Sequence, residues 1–153
     1  MGNKTKINIK MRLTILGVPQ PKQSARFKSI KAGNKTFIKA YKDDKVEINE
    51  RNIRYDVKSQ LPNGFKPFDT ALAVKVLFVF PPLKTFSTKT LEEMEAGKRI
   101  YKTTKPDLTD NLMKGLFDAM EGVVYINDSR VCKISSAKLY GKVPRIEIEI
   151  TEI

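Results

Sequence analysis

The chain has 153 residues, 41% of them hydrophobic, and carries 29 Lys or Arg against 17 Asp or Glu, a net charge of +12. That length and apolar content suit one domain spanning 1–153 with a real core, and no apolar run is long enough to cross a bilayer. With no histidine and a single cysteine, Cys132, histidine-based triads, the usual zinc sites and an internal disulfide framework are excluded. Any bound metal must be held by oxygen. Residues 1–10 lack the apolar stretch of a signal peptide, so a cytoplasmic location is expected, with no membrane partner and no small-molecule cofactor.

The charge is unevenly spread. Residues 1–42 contain eleven basic side chains and no acidic one, so nearly the whole net charge lies there. Neutralising phosphates releases counterions and favours binding, which makes nucleic acid the expected partner. An anionic membrane or an acidic protein is the competing reading, and a solvated, disordered basic arm over 1–10 is the plainest one.

Lys10–Val18 alternates apolar Met11, Leu13 and Ile15 with polar residues and stops at Gly17 and Pro19-Gln20-Pro21, which predicts a strand. Lys22, Arg26 and Lys28 come next as candidate DNA contacts. Ser29–Tyr41 reads as an irregular loop or a short hairpin about Gly33-Asn34. Asp43–Leu61 places Val46, Ile53, Val57 and Leu61 near helical spacing and ends at Pro62-Asn63-Gly64. Ala71–Phe80 is almost continuously apolar and β-branched, as expected for a central strand covered on both sides. A short helix is predicted from Ser87 or Thr88 through Glu95, stopped by Gly97.

Lys105–Val131 is the densest part of the chain. A helix with Leu112, Met113, Leu116, Phe117 and Met120 on one side presents Asp110, Lys114, Asp118 and Glu121 within roughly 80° on the other. Gly122 ends it, Val123–Ile126 reads as a strand, and Asn127-Asp128 comes after. Val131–Tyr140 and Arg145–Ile153, joined by Gly141–Pro144, read as a β-hairpin with Ile146, Ile148 and Ile150 inward and Glu147 and Glu149 outward.

Carboxylates beside a phosphate backbone repel it unless a cation lies between them, so acids inside a basic protein suggest metal-assisted phosphodiester chemistry. Structural roles compete. Asp107 can cap the helix with Asp110 at the third helical position, Asp110–Lys114–Asp118 can be an i,i+4 ion-pair ladder, and Asn127-Asp128-Ser129 can be a turn.

Lys105-Pro106-Asp107, Asp110-Asn111-Leu112, Lys114, Asp118-Ala119-Met120, Gly122, and Asn127-Asp128 with Val131 resemble the RusA family of Holliday junction resolvases. Members read K-P-D-x-D-N-L-x-K, then D-A-L-x-G, then D-D-x-x-V. The opening strand with Gly17-Val18-Pro19, Pro21-Lys22 and Arg26 after it is also similar to the family's start. The resemblance implies a small α/β (α+β) domain with a mixed sheet flanked by helices, working as a homodimer. It implies Mg²⁺-dependent nicking of four-way branched DNA in recombination and repair, with one or two ions per site and Mn²⁺ as a substitute. The family's metal ligands map to Asp107, Asp110 and Asp128 and its lysine to Lys114, with Asp118, Asn111 and Asn127 as supporting candidates. Lys22, Arg26, Lys28 and Lys105 would contact DNA.

The chain departs from the family twice. The family separates its first two acids by one residue, whereas Leu108-Thr109 makes the gap two here, so Asp107 is either a ligand or a helix cap. Asn127 replaces the first acid of the family's D-D pair. A non-catalytic nucleic-acid-binding protein on the same fold, its metal site spoiled by the extra residue, is the alternative function, and a nuclease or phosphatase acting on RNA or nucleotides is a third.

Overall fold

The computed structural model describes residues 10–21, 26–41 and 44–153; Lys22 and the arm at 1–9 lie outside them. The main body is a mixed four-stranded sheet built from β1 (Lys10–Leu16), β4 (Leu72–Phe80), β5 (Val131–Tyr140) and β6 (Arg145–Glu152), in the order β1-β6-β4-β5. Helices α1 (Asp44–Gln60), α2 (Thr88–Glu95) and α3 (Lys114–Met120) complete it. No described helix is long and apolar enough to cross a membrane.

The expected central strand is interior: β4 pairs antiparallel with β6 on one side and parallel with β5 on the other. Its cover on both sides is corrected in part: Leu72, Val74, Val76 and Phe78 on one face are buried, whereas on the other Lys75 is exposed, Ala73 and Leu77 are half-buried and only Val79 is fully covered. The expected hairpin of β5 and β6 is corrected. The two strands do not pair; β4 lies between them, and the 141–144 connection arches over its end. A short, turn-rich link between alternating runs gives the same sequence signal for a hairpin and for such an arch. The arch is tight, because a Cβ on Gly141 would stand 2.6 Å from Val79 Cγ1.

Ile146, Ile148 and Ile150 point into the core, as the alternation predicted, and meet Leu13 and Ile15 of β1. The edge of β1 is occupied by a side chain: Gln60, the last residue of α1, takes the Thr14 N–H at 3.0 Å and donates to the Thr14 carbonyl at 2.8 Å. Ile53 and Val57 of α1 are buried in the same core as α3, and Arg54 donates to the Ala119 carbonyl at 3.2 Å, capping the end of α3.

The Gly33-Asn34 turn does close a hairpin, β2 (Arg26–Ala32) with β3 (Lys35–Tyr41), as a separate two-stranded sheet. Gly33 has φ +61° at the first turn position, the place a two-residue type II′ turn reserves for glycine. Arg26 and Lys28 lie on β2, opposite Tyr41 and Lys39. Helix α2 begins at Ser87, whose hydroxyl accepts from the Thr90 N–H at 3.1 Å, and Gly97 lies just past its end with φ +102°.

Candidate active site

The acid-bearing segment leaves the sheet edge, turns once, and enters α3. Its first turn, Leu108–Met113, is a π turn: the Leu112 N–H reaches back five residues to the Asp107 carbonyl at 3.1 Å. A π turn lets a helix absorb one extra residue without rotating the turns beyond it. The Leu108-Thr109 spacing, one residue longer than the family's, is taken up here. Leu112, Leu116, Ala119 and Met120 therefore stay in the core, each 2% exposed or less.

The competing structural roles of the acids divide. Asp107 stands at the cap position but makes no side-chain capping bond. Lys114 is exposed, and no salt bridge ties it to Asp110 among the described residues, so the ion-pair ladder is not formed there. Asn127, by contrast, is a cap: its Oδ1 accepts from the Ser129 N–H at 2.9 Å and opens the 3₁₀ turn Asp128–Arg130. That gives the amide a local structural role where the family has an acid, and leaves the Asp128 carboxylate exposed beside it. Arg130 anchors the turn to Asp69, in the segment leading into β4, at 2.9 Å.

The expected strand at Val123–Ile126 is corrected. Val123, Val124 and Tyr125 are buried, which accounts for their strand-like composition, but they form a turn about Gly122, φ +78°, joined to Phe68 on both sides. This turn returns the chain toward α3. The Asp128 N–H donates to Glu121 Oε1 at 3.3 Å, and the Tyr125 hydroxyl donates to the Phe117 carbonyl at 2.6 Å. Burial, then the nearby carboxylates of Asp128, Glu121 and Asp118, pushes the Tyr125 hydroxyl far above the ordinary phenol range. It stays a protonated donor at any working pH.

Asp118, Glu121 and Asp128 thus share one neighbourhood, while Asp107 and Asp110 ride on the π turn. From sequence Glu121 is visible only as part of the charged stripe; its nearness to Asp128 depends on the Gly122 reversal, which spacing does not reveal. Asn111 is half-buried on the π turn and Lys105 is exposed just before it. The carboxylate set suits a hard cation such as Mg²⁺. Its placement does not: among the described residues, no three Asp, Glu, Cys or His side chains lie together as a group able to hold a metal ion.

A protein-family model described as endodeoxyribonuclease RusA matches residues 17–151. The chain belongs to the RusA family. It is 37% identical over 83 residues to an uncharacterised protein, YqaN, of Bacillus subtilis (strain 168), a match covering 54% of this chain and 57% of that protein. It is 46% identical over 54 residues to the crossover junction endodeoxyribonuclease rusA of Lactococcus phage r1t, covering 35% of this chain and 40% of that protein. The chain therefore spans well under two thirds of either relative's length.

Proposed function

We propose that this RusA-family chain is an endodeoxyribonuclease that resolves four-way DNA junctions, with Asp107, Asp110, Lys114 and Asp128 as its cutting residues. One observation carries the reading. These four side chains, which match the family's acids and lysine, are exposed and hold no hydrogen bond or ion pair among the described residues. A phosphodiester meeting three carboxylates is repelled unless a divalent cation lies between, and Mg²⁺, one or two ions with Mn²⁺ substituting, is the cofactor the donor type favours. Assigning Asp107, Asp110 and Asp128 as its ligands rests on donor chemistry and the family pattern. The Lys114 ammonium is suited to offset charge on the scissile phosphate.

Lys105, exposed before the π turn, Arg26 and Lys28 on β2, and Lys22, outside the described residues, are the proposed backbone contacts, suited to a substrate read by shape. Paired nicks on a two-fold junction require two such sites, hence a homodimer. The second reading, a junction-binding protein without nuclease activity, draws on the failure of three carboxylates to converge among the described residues.

The test is nicking of a labelled four-way junction with and without Mg²⁺. Wild type should cut only with the ion, and Asp110→Asn should lose about 10²–10³-fold in rate while retaining junction binding. Binding without nicking at any Mg²⁺ or Mn²⁺ concentration selects the second reading. Equal cutting of junction, duplex and RNA would remove the junction preference.

A further inference from the structure

The strap leading to Asp107 is held by two lysines whose ammonium groups face the protein. Tyr101 bridges to Leu139, and the Lys102 N–H donates to the Lys138 carbonyl at 2.9 Å, so the strap starts along the outer edge of β5. The Lys102 ammonium lies 5.2 Å and 5.3 Å from the Phe80 and Tyr140 ring centres and 2.8 Å from Thr104 Oγ1. Lys138 goes further. Its half-buried side chain donates to the carbonyls of Thr104 and Pro106, each at 2.8 Å, and Pro106 is the residue before Asp107.

Two positions back on the same face of β5, the Ser136 hydroxyl lies 3.0 Å from Met113 Sδ, at the far end of the π turn. Lys138 and Ser136 therefore bracket the Asp107–Met113 segment, one at its entrance and one at its exit. A π turn is a looser closure than an α turn. This one has its entrance fixed by a charged donor shared between two carbonyls, a stronger tie than a neutral bond.

We propose that Lys138 is a positioning residue: by clamping the Thr104 and Pro106 carbonyls it sets where the Asp107–Asp110 turn stands. The proposal rests on the cutting residues assigned above. A charge-bearing lysine in a +12 chain would otherwise be read as a DNA contact, but this ammonium is turned inward onto two carbonyls of its own chain.

Four variants test it. Lys138→Met keeps the stem and loses the donors; Lys138→Gln shortens the reach; Lys138→Arg keeps charge and donors; Lys133→Met, exposed on the same strand, controls for one lost positive charge. Amide hydrogen exchange, junction affinity and the single-turnover nicking rate at saturating protein are measured on each. Lys138→Met should speed exchange across 108–113 by about tenfold or more while β4 and β6 keep their protection. Its nicking rate should fall by about 10²-fold, the scale of an ångström-sized misplacement. Junction affinity should change no more than in Lys133→Met, and Lys138→Arg should restore rate and protection to within a few-fold.

Unchanged exchange at 108–113 in Lys138→Met overturns the clamp, and so does a loss of junction affinity with the saturated rate intact, which makes Lys138 a DNA contact. If Lys138→Met unfolds the sheet, the comparison of Lys138→Gln with Lys138→Arg decides by the same readouts. Exchange needs no DNA: a wild type that never nicks refutes the proposed nuclease, and the exchange comparison still judges the clamp.

Discussion

Deleting Thr109 asks whether the extra residue before Asp110 is truly absorbed by the π turn. Thr109 is exposed, whereas Leu108 packs against the core, so the deletion removes no buried surface. With one residue fewer, the Leu112 N–H still faces the Asp107 carbonyl, now four residues back, and the π turn becomes an α turn. The residues from Leu112 onward keep their places, and stability should change by about 1 kcal/mol or less, the scale of one rearranged hydrogen bond. An ordinary α-helix starting at Leu108 would behave otherwise. Deletion would turn everything on one side by about 100° and withdraw Leu112, Leu116 and Met120 from the core. At ~1.5–3 kcal/mol for each such side chain that is about 5–9 kcal/mol, comparable with the whole stability of a domain. Thermal melting separates the two by a wide margin, since ~1 kcal/mol moves Tm by about 2–4 °C at this size. Deletion of Lys114, the first residue of α3 past the π turn, is the contrasting case and should unfold the chain. A Thr109 deletion that melts like the Lys114 deletion refutes the π-turn account. Because it also restores the family's spacing, it should leave the proposed Mg²⁺-dependent junction nicking in place.

Other outcomes are expected from single side chains. Leu116→Ala, at a position 1% exposed, should lower unfolding free energy by about 2–5 kcal/mol in urea titration. Gly141→Ala should destabilise by about 1–3 kcal/mol, because the new methyl meets Val79 at 2.6 Å in the arch. Tyr125 gives a pH signature: its proton is held more tightly in the fold than in the unfolded chain. The native state thus binds more protons above about pH 10, and stability falls as pH rises past that point, by up to ~1.4 kcal/mol per pH unit. Tyr125→Phe should flatten that alkaline limb relative to wild type. At neutral pH its cost should stay near 1 kcal/mol or below, since the Phe117 carbonyl keeps the Glu121 N–H at 3.1 Å.

The strands and helices that bury one continuous face were legible in the sequence. β4 read as interior because nothing polar interrupts its core-facing side, and α1 and α2 announced themselves by spacing and capping, whereas the Gly33-Asn34 pair left loop and hairpin both open. What failed were inferences about partners. The alternation of β5 and β6 is the same whether they pair with each other or with a strand between them; only the close approach at Gly141 distinguishes the arch, and glycine is also common in hairpins. Val123–Tyr125 has strand composition because it is buried, yet its hydrogen bonds go to Met120 and Phe68. At the acidic site the residue types were legible and the geometry was not. One inserted residue could have turned an acid away, and only the five-residue bond to Asp107 shows how the helix absorbs it. Glu121 and Lys138 joined the picture through contacts across the fold, made by the Gly122 reversal and by the strap along β5.

The sheet order also fixes when the fold can form. β6, made after the other three strands of its sheet, is an inner one: among the described residues β1 has it as sole ladder partner, and it covers one side of β4. A ribosome that has made the chain as far as Tyr140 has produced β4, β5 and the acid-bearing turn, but β1 still has no strand to join. Domains usually begin folding from their first-made end. Here β1 must wait for β6, so a chain stopped before Arg145 loses an inner strand of this sheet and leaves two strand edges open to aggregation.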